Sequence, residues 1–170
     1  MKNSVLLFLS FFCLQGFSQT NIFQIAKSGT VDELKILLKE NPSAINSVDE
    51  RGSTPLILAS YYNNQAVAFE LIDRGAKIDT AIEMGTALMA AVVKGNYEIS
   101  EKLLASGANP DLKDANQATA LIYATLFKKS NIMELLVKYN ADITLKDSRG
   151  FSAIDYAMQF NDNELIQILK

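Results

Sequence analysis

The side chains that come closest to a chemical constellation in this sequence are carboxylates: Asp32-Glu33, Asp49-Glu50, Asp162 with Glu164, and Asp142 with Asp147 and Asp155. Paired carboxylates can serve as general acid and base, and three of them can hold calcium. The spacing supports neither use. The pairs fall where helices are expected to start or loops to turn, places where a carboxylate favours the helix dipole or faces water. The trio lacks the dense acidic spacing of an EF-hand loop. Histidine is absent from all 170 residues, which removes the usual general base, the commonest metal ligand and the usual pH switch together. There is no Gly-rich phosphate loop, no Gly-x-Ser-x-Gly and no cysteine pair. Lys94 and Lys128-Lys129 are too few for a nucleic-acid stripe, and the formal net charge is −3. The chain therefore reads as a non-enzyme with no catalytic residue, no metal site, no cofactor and no nucleic-acid partner.

Residues 1–18 carry a different kind of signal. Lys2 precedes an apolar run from Val5 to Leu14, and Gly16 and Ser18 place small residues either side of Phe17. This is the three-part pattern of a secretory leader, with cleavage expected after Ser18. At about ten residues the run is too short to span roughly 30 Å of hydrocarbon, so no stable membrane insertion is expected. A core helix would show a polar face, and this stretch has none. The single cysteine, Cys13, lies inside the leader, so the mature chain from residue 19 to 170 would carry no thiol.

The elements that must position everything else repeat. Thr54-Pro55-Leu56-Ile57-Leu58-Ala59, Thr86-Ala87-Leu88-Met89-Ala90-Ala91, Thr119-Ala120-Leu121-Ile122-Tyr123-Ala124 and Ser152-Ala153-Ile154-Asp155-Tyr156-Ala157 are four copies of one opening, and Asn21-Ile22-Phe23-Gln24-Ile25-Ala26 is a weaker fifth. Their alanines at 26, 59, 91, 124 and 157 lie 33, 32, 33 and 33 residues apart, the signature of a stacked repeat. Each opening is followed by an apolar pair: Leu37-Leu38, Leu71-Ile72, Leu103-Leu104, Leu135-Leu136 and Ile168-Leu169. The Thr or Ser can cap a first helix, Pro55 suits its first turn, and the alanine lets two helices approach closely. Thr30-x-x-Glu33, Asn131-x-x-Glu134 and Asn161-x-x-Glu164 read as capping boxes opening a second helix. Gly75, Gly107 and Asn140 share one position, where a left-handed helix terminus is expected. The unit is helix, tight turn, helix, polar loop.

These residues resemble the ankyrin repeat. TPLILA and TALMAA stand where that family has its Thr-Pro-Leu-His-x-Ala opening, ASGANPD and DRGAKID match its second-helix ending, and SVDERGST and LKDSRGFS match its β-hairpin finger, with Asp49, Asp114 and Asp147 at the recurrent Asp. The resemblance covers about residues 20–170, with units at about 20–46, 47–79, 80–111, 112–144 and 145–170. It implies an all-α solenoid of about five helix-turn-helix units with short β-hairpin-like finger loops. The departures are specific. Ile57, Met89, Ile122 and Asp155 replace the family's His, so its polar bond to a neighbouring loop must be rebuilt or lost. The finger TAIEMG is one residue short and lacks the Asp, and Gln117 replaces a finger glycine. The first unit has a shortened inter-helix turn and a lengthened NPSAIN.

In this family the finger tips and the exposed ends of the first helices line a concave groove that binds other proteins. Carried onto this sequence, the partner-binding residues are Glu50, Arg51, Tyr61, Tyr62, Lys94, Asn116, Leu126, Phe127, Arg149, Phe151 and Phe160, with Ser53, Val93, Ala115, Ala118, Ser148 and Gln159 beside them. The set is rich in aromatic residues, as interaction sites are; the competing expectation is that Leu126, Phe127 and Phe160 fold inward to seal gaps between repeats. With the leader, the resemblance implies a periplasmic or secreted monomer, bacterial in origin, that binds another protein. Its role would be that of a helper of an exported enzyme, for example in stress defence, or of an immunity protein inhibiting a toxin outside the cytoplasm.

Overall fold

The computed structural model describes residues 21–170; the expected leader, with Cys13 and the cleavage point after Ser18, lies outside the described residues. Among the described residues ten α-helices follow one another in pairs: α1 (Ile22–Ser28) and α2 (Val31–Glu40), α3 (Pro55–Tyr61) and α4 (Gln65–Asp73), α5 (Ala87–Lys94) and α6 (Tyr97–Ala105), α7 (Ala120–Leu126) and α8 (Ser130–Lys138), α9 (Ala153–Gln159) and α10 (Asn163–Ile168). The first helices pack in one layer, α1 on α3, α3 on α5, α5 on α7 and α7 on α9, and the second helices form a parallel layer from α2 to α10. The extra residue in NPSAIN is absorbed by a short 3-10 helix at Pro42–Asn46, which restores the register lost in the first inter-helix turn.

Every first helix starts on the expected side-chain cap. The side-chain oxygens of Asn21, Thr54, Thr86, Thr119 and Ser152 accept from the amides of Gln24, Ile57, Met89, Ile122 and Asp155, satisfying one orphan donor each. The alanine column does what its spacing requires: Ala26, Ala59, Ala91, Ala124 and Ala157 are all fully buried. The second helices end as expected too. Gly75, Gly107 and Asn140 have φ of 80°, 91° and 60°. Each is followed by a buried alanine whose amide reaches back to the helix, Ala76 to Leu71, Ala108 to Leu103 and Ala141 to Leu136, at 3.0 Å.

The second-helix starts need correction. Thr30 and Glu33 form the expected capping box, but Asn131 and Asn161 do not. Asn131 lies inside α8, where its side chain accepts only from the neighbouring Ile132 amide, and the cap position falls on Lys129. Asn161 holds φ at 52° in the turn, and Asp162 caps α10. The reason is a second left-handed residue in each of the last four units, at the end of the first helix: Asn63, Gly95, Lys128 and Asn161. The following amide in each turn donates to the column alanine's carbonyl, Asn64 to Ala59, Asn96 to Ala91, Lys129 to Ala124 and Asp162 to Ala157. That turn moves each second-helix cap one residue past the αL position.

Adjacent units are tied by polar bonds at both ends. The Asn64 side-chain amide donates to the carbonyls of Ile25 and Gly29, and that of Asn96 donates to Asn63 Oδ1. On the opposite side, Asn46 Oδ1 accepts from the Lys77 amide and Asp111 Oδ1 from the Asp142 amide, both at 2.8 Å, and Asp79 Oδ1 accepts from the Asn109 amide at 3.1 Å.

Candidate functional site: the concave face

The fingers that frame this face are held by their own aspartates. Asp49 Oδ1 accepts from the amides of Arg51 and Ser53, Asp114 Oδ1 from Asn116 and Ala118, and Asp147 Oδ1 from Arg149 and Phe151, at 2.8–3.1 Å. Asp114 and Asp147 are buried; they are structural groups, with no spare valence toward a ligand. The finger glycines Gly52 and Gly150 have φ of 78° and 84°, and Gln117 adopts the same left-handed conformation at 58°. The third finger, lacking the Asp, closes instead as a tight turn in which Ile82 and Gly85 exchange backbone bonds. Neighbouring fingers are linked directly, with the Ala115 amide donating to the Glu83 carbonyl and the Ser148 amide to that of Asn116.

The link usually made by the family's histidine is lost at Ile57, Met89 and Ile122, which are buried apolar residues. In the last two units a tyrosine rebuilds a connection. Tyr123 donates to Asp114 at 2.5 Å and Tyr156 to Asp147 at 2.6 Å. Burial, together with the hydrogen bond to Asp114 and its charge, pushes the Tyr123 phenol up to about 12. Tyr156 is raised for the same reasons. Burial opposes ionisation of Asp147, but bonds from Tyr156, the Phe151 and Arg149 amides and the Arg149 side chain outweigh it, and its carboxyl lies below the ordinary range. Asp155, in the histidine's place in the fifth unit, forms a capping box with Ser152, for which the spacing Ser152-x-x-Asp155 was the available signal.

Between fingers and helix ends lies a concave space of about 1070 Å³ extending over the first four units. Of the residues expected to bind a partner, Glu50, Arg51, Tyr61, Tyr62, Asn116 and Phe127 line it, with Val93 and Ser53. Phe127 is 48% exposed and Phe160 37%, so these two rings do not fold inward to seal the stack. Leu126 does: it is half-buried against the core. Ser53 and Ala118 are buried as well, since both close their fingers onto the aspartate. Ala115, Ser148 and Gln159 are exposed. Lys94 stands at the edge of this space, its ammonium 4.7 Å from the Tyr61 ring centroid. Arg149, Phe151 and Phe160 form a separate cluster around Tyr156 in the fifth unit, with Phe151 and Phe160 at 5.4 and 6.4 Å from it and the Arg149 guanidinium at 5.3 Å.

Sequence reasoning missed the contribution of the first unit, of Val48 and of the third unit's finger. Phe23, Gln24 and Lys27 of α1 line the space, and so do Val48, Ile82, Glu83 and Met84. Met84, at the tip of the shortened finger, is 74% exposed. The shortening itself was visible in TAIEMG; a two-residue turn puts its central side chains at the tip, and that was the available signal. Among the described residues no helix is long and apolar enough to cross a membrane.

Capped helix pairs at a period near 33 residues, stacked in two layers behind finger loops, define a repeat solenoid with a concave face suited to binding. The match to known families agrees: the chain matches the family described as ankyrin repeats (3 copies) over residues 2–82 and 88–170, and it belongs to the ankyrin-repeat family. It is 34% identical over 101 residues to ankyrin repeat and SAM domain-containing protein 6 of Mus musculus, a segment that is 58% of this chain and 11% of that protein. It is 33% identical over 103 residues to an ankyrin repeat-containing protein of Treponema pallidum (strain Nichols), covering 59% of this chain and 34% of the relative. Identity to ankyrin repeat and SOCS box protein 11 of Mus musculus is 29% over 102 residues, 60% of this chain and 31% of that protein. The chain thus spans about a third or less of the length of these relatives. Ankyrin repeats imply protein–protein interaction, and the relatives share that architecture.

Proposed function

We propose that this protein is exported and, as a monomer without catalysis of its own, docks another exported protein on its concave face. The observation that carries the reading is the exposure of Tyr61, Tyr62 and Phe127 on one face. Large rings left in water at aligned positions of different units are what a docking surface needs, because they offer area with few rotors to freeze. The leader pattern at Lys2 to Ser18 supports export to the periplasm or beyond, and the absence of histidine supports binding over catalysis. The partner we propose is a protein that this chain assists, for example in stress defence.

Two measurements test it. The exported protein should begin at Gln19, and an intact mass that retains residues 1–18 would refute export. Affinity isolation from the exported fraction should recover a stoichiometric protein partner with the wild type and not with Tyr62→Ala/Phe127→Ala. Recovery of the same partner by both would place binding on another face.

A further inference from the structure

The helix-end wall of the concave face carries a row of side chains crossing three units. Lys27, at the end of α1, has its ammonium 5.7 Å from the centroid of the Tyr62 ring. Tyr62 meets Tyr61 edge to face at 5.4 Å. Lys94, at the end of α5, completes the row 4.7 Å from the Tyr61 centroid. A further cation lies alongside: the Lys129 ammonium is 3.1 Å from where a Cβ on Gly95 would stand, next in sequence to Lys94. Neither Lys27, Lys94 nor Lys129 makes a salt bridge among the described residues. Four of the five inter-helix turns, at 27–30, 61–64, 93–96 and 126–129, contain no Asp or Glu in a chain of net charge −3; the fifth holds Asp162, which pairs with Lys128 and not with Lys27, Lys94 or Lys129.

A ring face attracts an ammonium through its quadrupole and holds it in place without neutralising it. Lys27 and Lys94 are therefore positioned, uncompensated charges beside apolar area, and part of their rotamer entropy is already lost before any partner arrives. The matching ligand is a carboxylate flanked by an apolar side chain. The opposite wall decides between classes of anion. Glu50 and Glu83 are exposed there, two acids beside the single cation Arg51, and line the same space as Lys27 and Tyr62. A polyphosphate running along the groove would meet both walls, whereas a protein segment can set its carboxylates on one side only.

Resting on the reading of this face as a docking surface, we infer that it takes an acidic protein segment, apolar side chains against Tyr62, Val48 and Met84 and carboxylates toward Lys27 and Lys94. The test pans a random-peptide display library on the full chain, then measures an enriched synthetic peptide by fluorescence anisotropy. Enriched sequences should combine Asp or Glu with Leu, Ile or Phe. Binding should fall with added salt, and Lys27→Gln/Lys94→Gln should weaken it about ten-fold. Tyr62→Ala/Phe127→Ala should weaken it too, all variants first being matched to the wild type by circular dichroism. If the aromatic variant loses binding while the lysine variant does not, or if the peptides show no acidic bias, the acidic-segment inference fails and the docking surface stands. If neither variant changes binding, or no peptide is enriched, the docking surface itself fails. Tighter binding of a single-stranded oligonucleotide through the same lysines would assign the row to nucleic acid and overturn the inference.

Discussion

Tyr156 donates a 2.6 Å hydrogen bond to Asp147, nine residues earlier, and so fastens the fifth finger to the helix that follows it. Both residues are buried, and the same arrangement recurs one unit back between Tyr123 and Asp114. The finger's aspartate is thus bonded from its own loop amides and from its helix at once. Removing the hydroxyl leaves a desolvated carboxylate short of one donor while the ring stays between Phe151 and Phe160. Tyr156→Phe should therefore cost about 1.5–3 kcal/mol, as for a hydrogen bond to a charged group. Urea midpoints check this, with Tyr62→Phe, whose side chain is exposed, as the variant expected to change nothing.

The same pair gives a pH dependence. The Asp147 carboxyl titrates below its ordinary value when folded, so between the two values the unfolded chain binds more protons and stability rises with pH. The contribution is complete above the ordinary carboxylate value and is lost as pH falls through the lowered one. Asp147→Asn should flatten this acid limb of a urea-midpoint profile. At the other extreme Tyr123, raised to about 12, keeps its proton when the unfolded phenol has lost it. Stability should then decline as pH climbs from about 10 toward about 12. Tyr156 is raised as well, so phenolate absorbance should show two late-titrating tyrosines, of which Tyr123→Phe removes one.

The left-handed finger position separates backbone cost from packing cost. Gly150 has φ of 84° and open space where a Cβ would go, so Gly150→Ala should lose about 1–2 kcal/mol through conformation alone. Gln117 already bears that strain at φ 58°. Gln117→Gly should gain about 0.5 kcal/mol, the relief being partly offset by the entropy of an unfolded glycine. Thermal melts of the two variants should move in opposite directions.

The alanine column gives a test of register. Ala91 is fully buried on α5, a helix that packs against both α3 and α7. Ala91→Leu should cost about 1–3 kcal/mol by overpacking, whereas Lys113→Ala on a loop should leave the melting midpoint close to that of the wild type. Equal midpoints would contradict the packing described.

What could be read in the sequence was what each unit enforces locally. Thr54, Thr86, Thr119 and Ser152 had to cap helices, the alanines had to be buried, and Gly75, Gly107 and Asn140 had to turn left-handed, because those residue types admit few other uses. The inter-helix turn was not legible in the same way. Its left-handed residue is Asn63, Gly95, Lys128 or Asn161, and Lys128 is a poor advertisement for φ of 52°. The capping boxes drawn at Asn131 and Asn161 therefore fell one or two residues late or early. The finger and helix-end residues were found by their equivalence between units. Met84, Lys27 and Phe23 escaped because the shortened finger and the divergent first opening break that equivalence, although the fold brings them to the same face.

Phe127 and Tyr62 carry the last prediction because exposure separates binding from stability at these two positions. They are 48% and 51% exposed at the ends of α7 and α3, and Phe127 is held by stacking on Tyr123 at 6.3 Å and not by burial. A fully buried phenylalanine cut to alanine costs about 3–5 kcal/mol through the cavity it leaves. A ring half in water forfeits far less, so each single variant should lose no more than about 1 kcal/mol of folding stability. If the concave face docks a protein, the same variants should each lose about 1–3 kcal/mol of binding, the range from ordinary contacts to hot spots. Denaturant midpoint and partner affinity measured on one preparation of each variant separate the two roles. A large midpoint loss with unchanged affinity would mean that Phe127 supports Tyr123 and the stack, and that the partner engages a different surface.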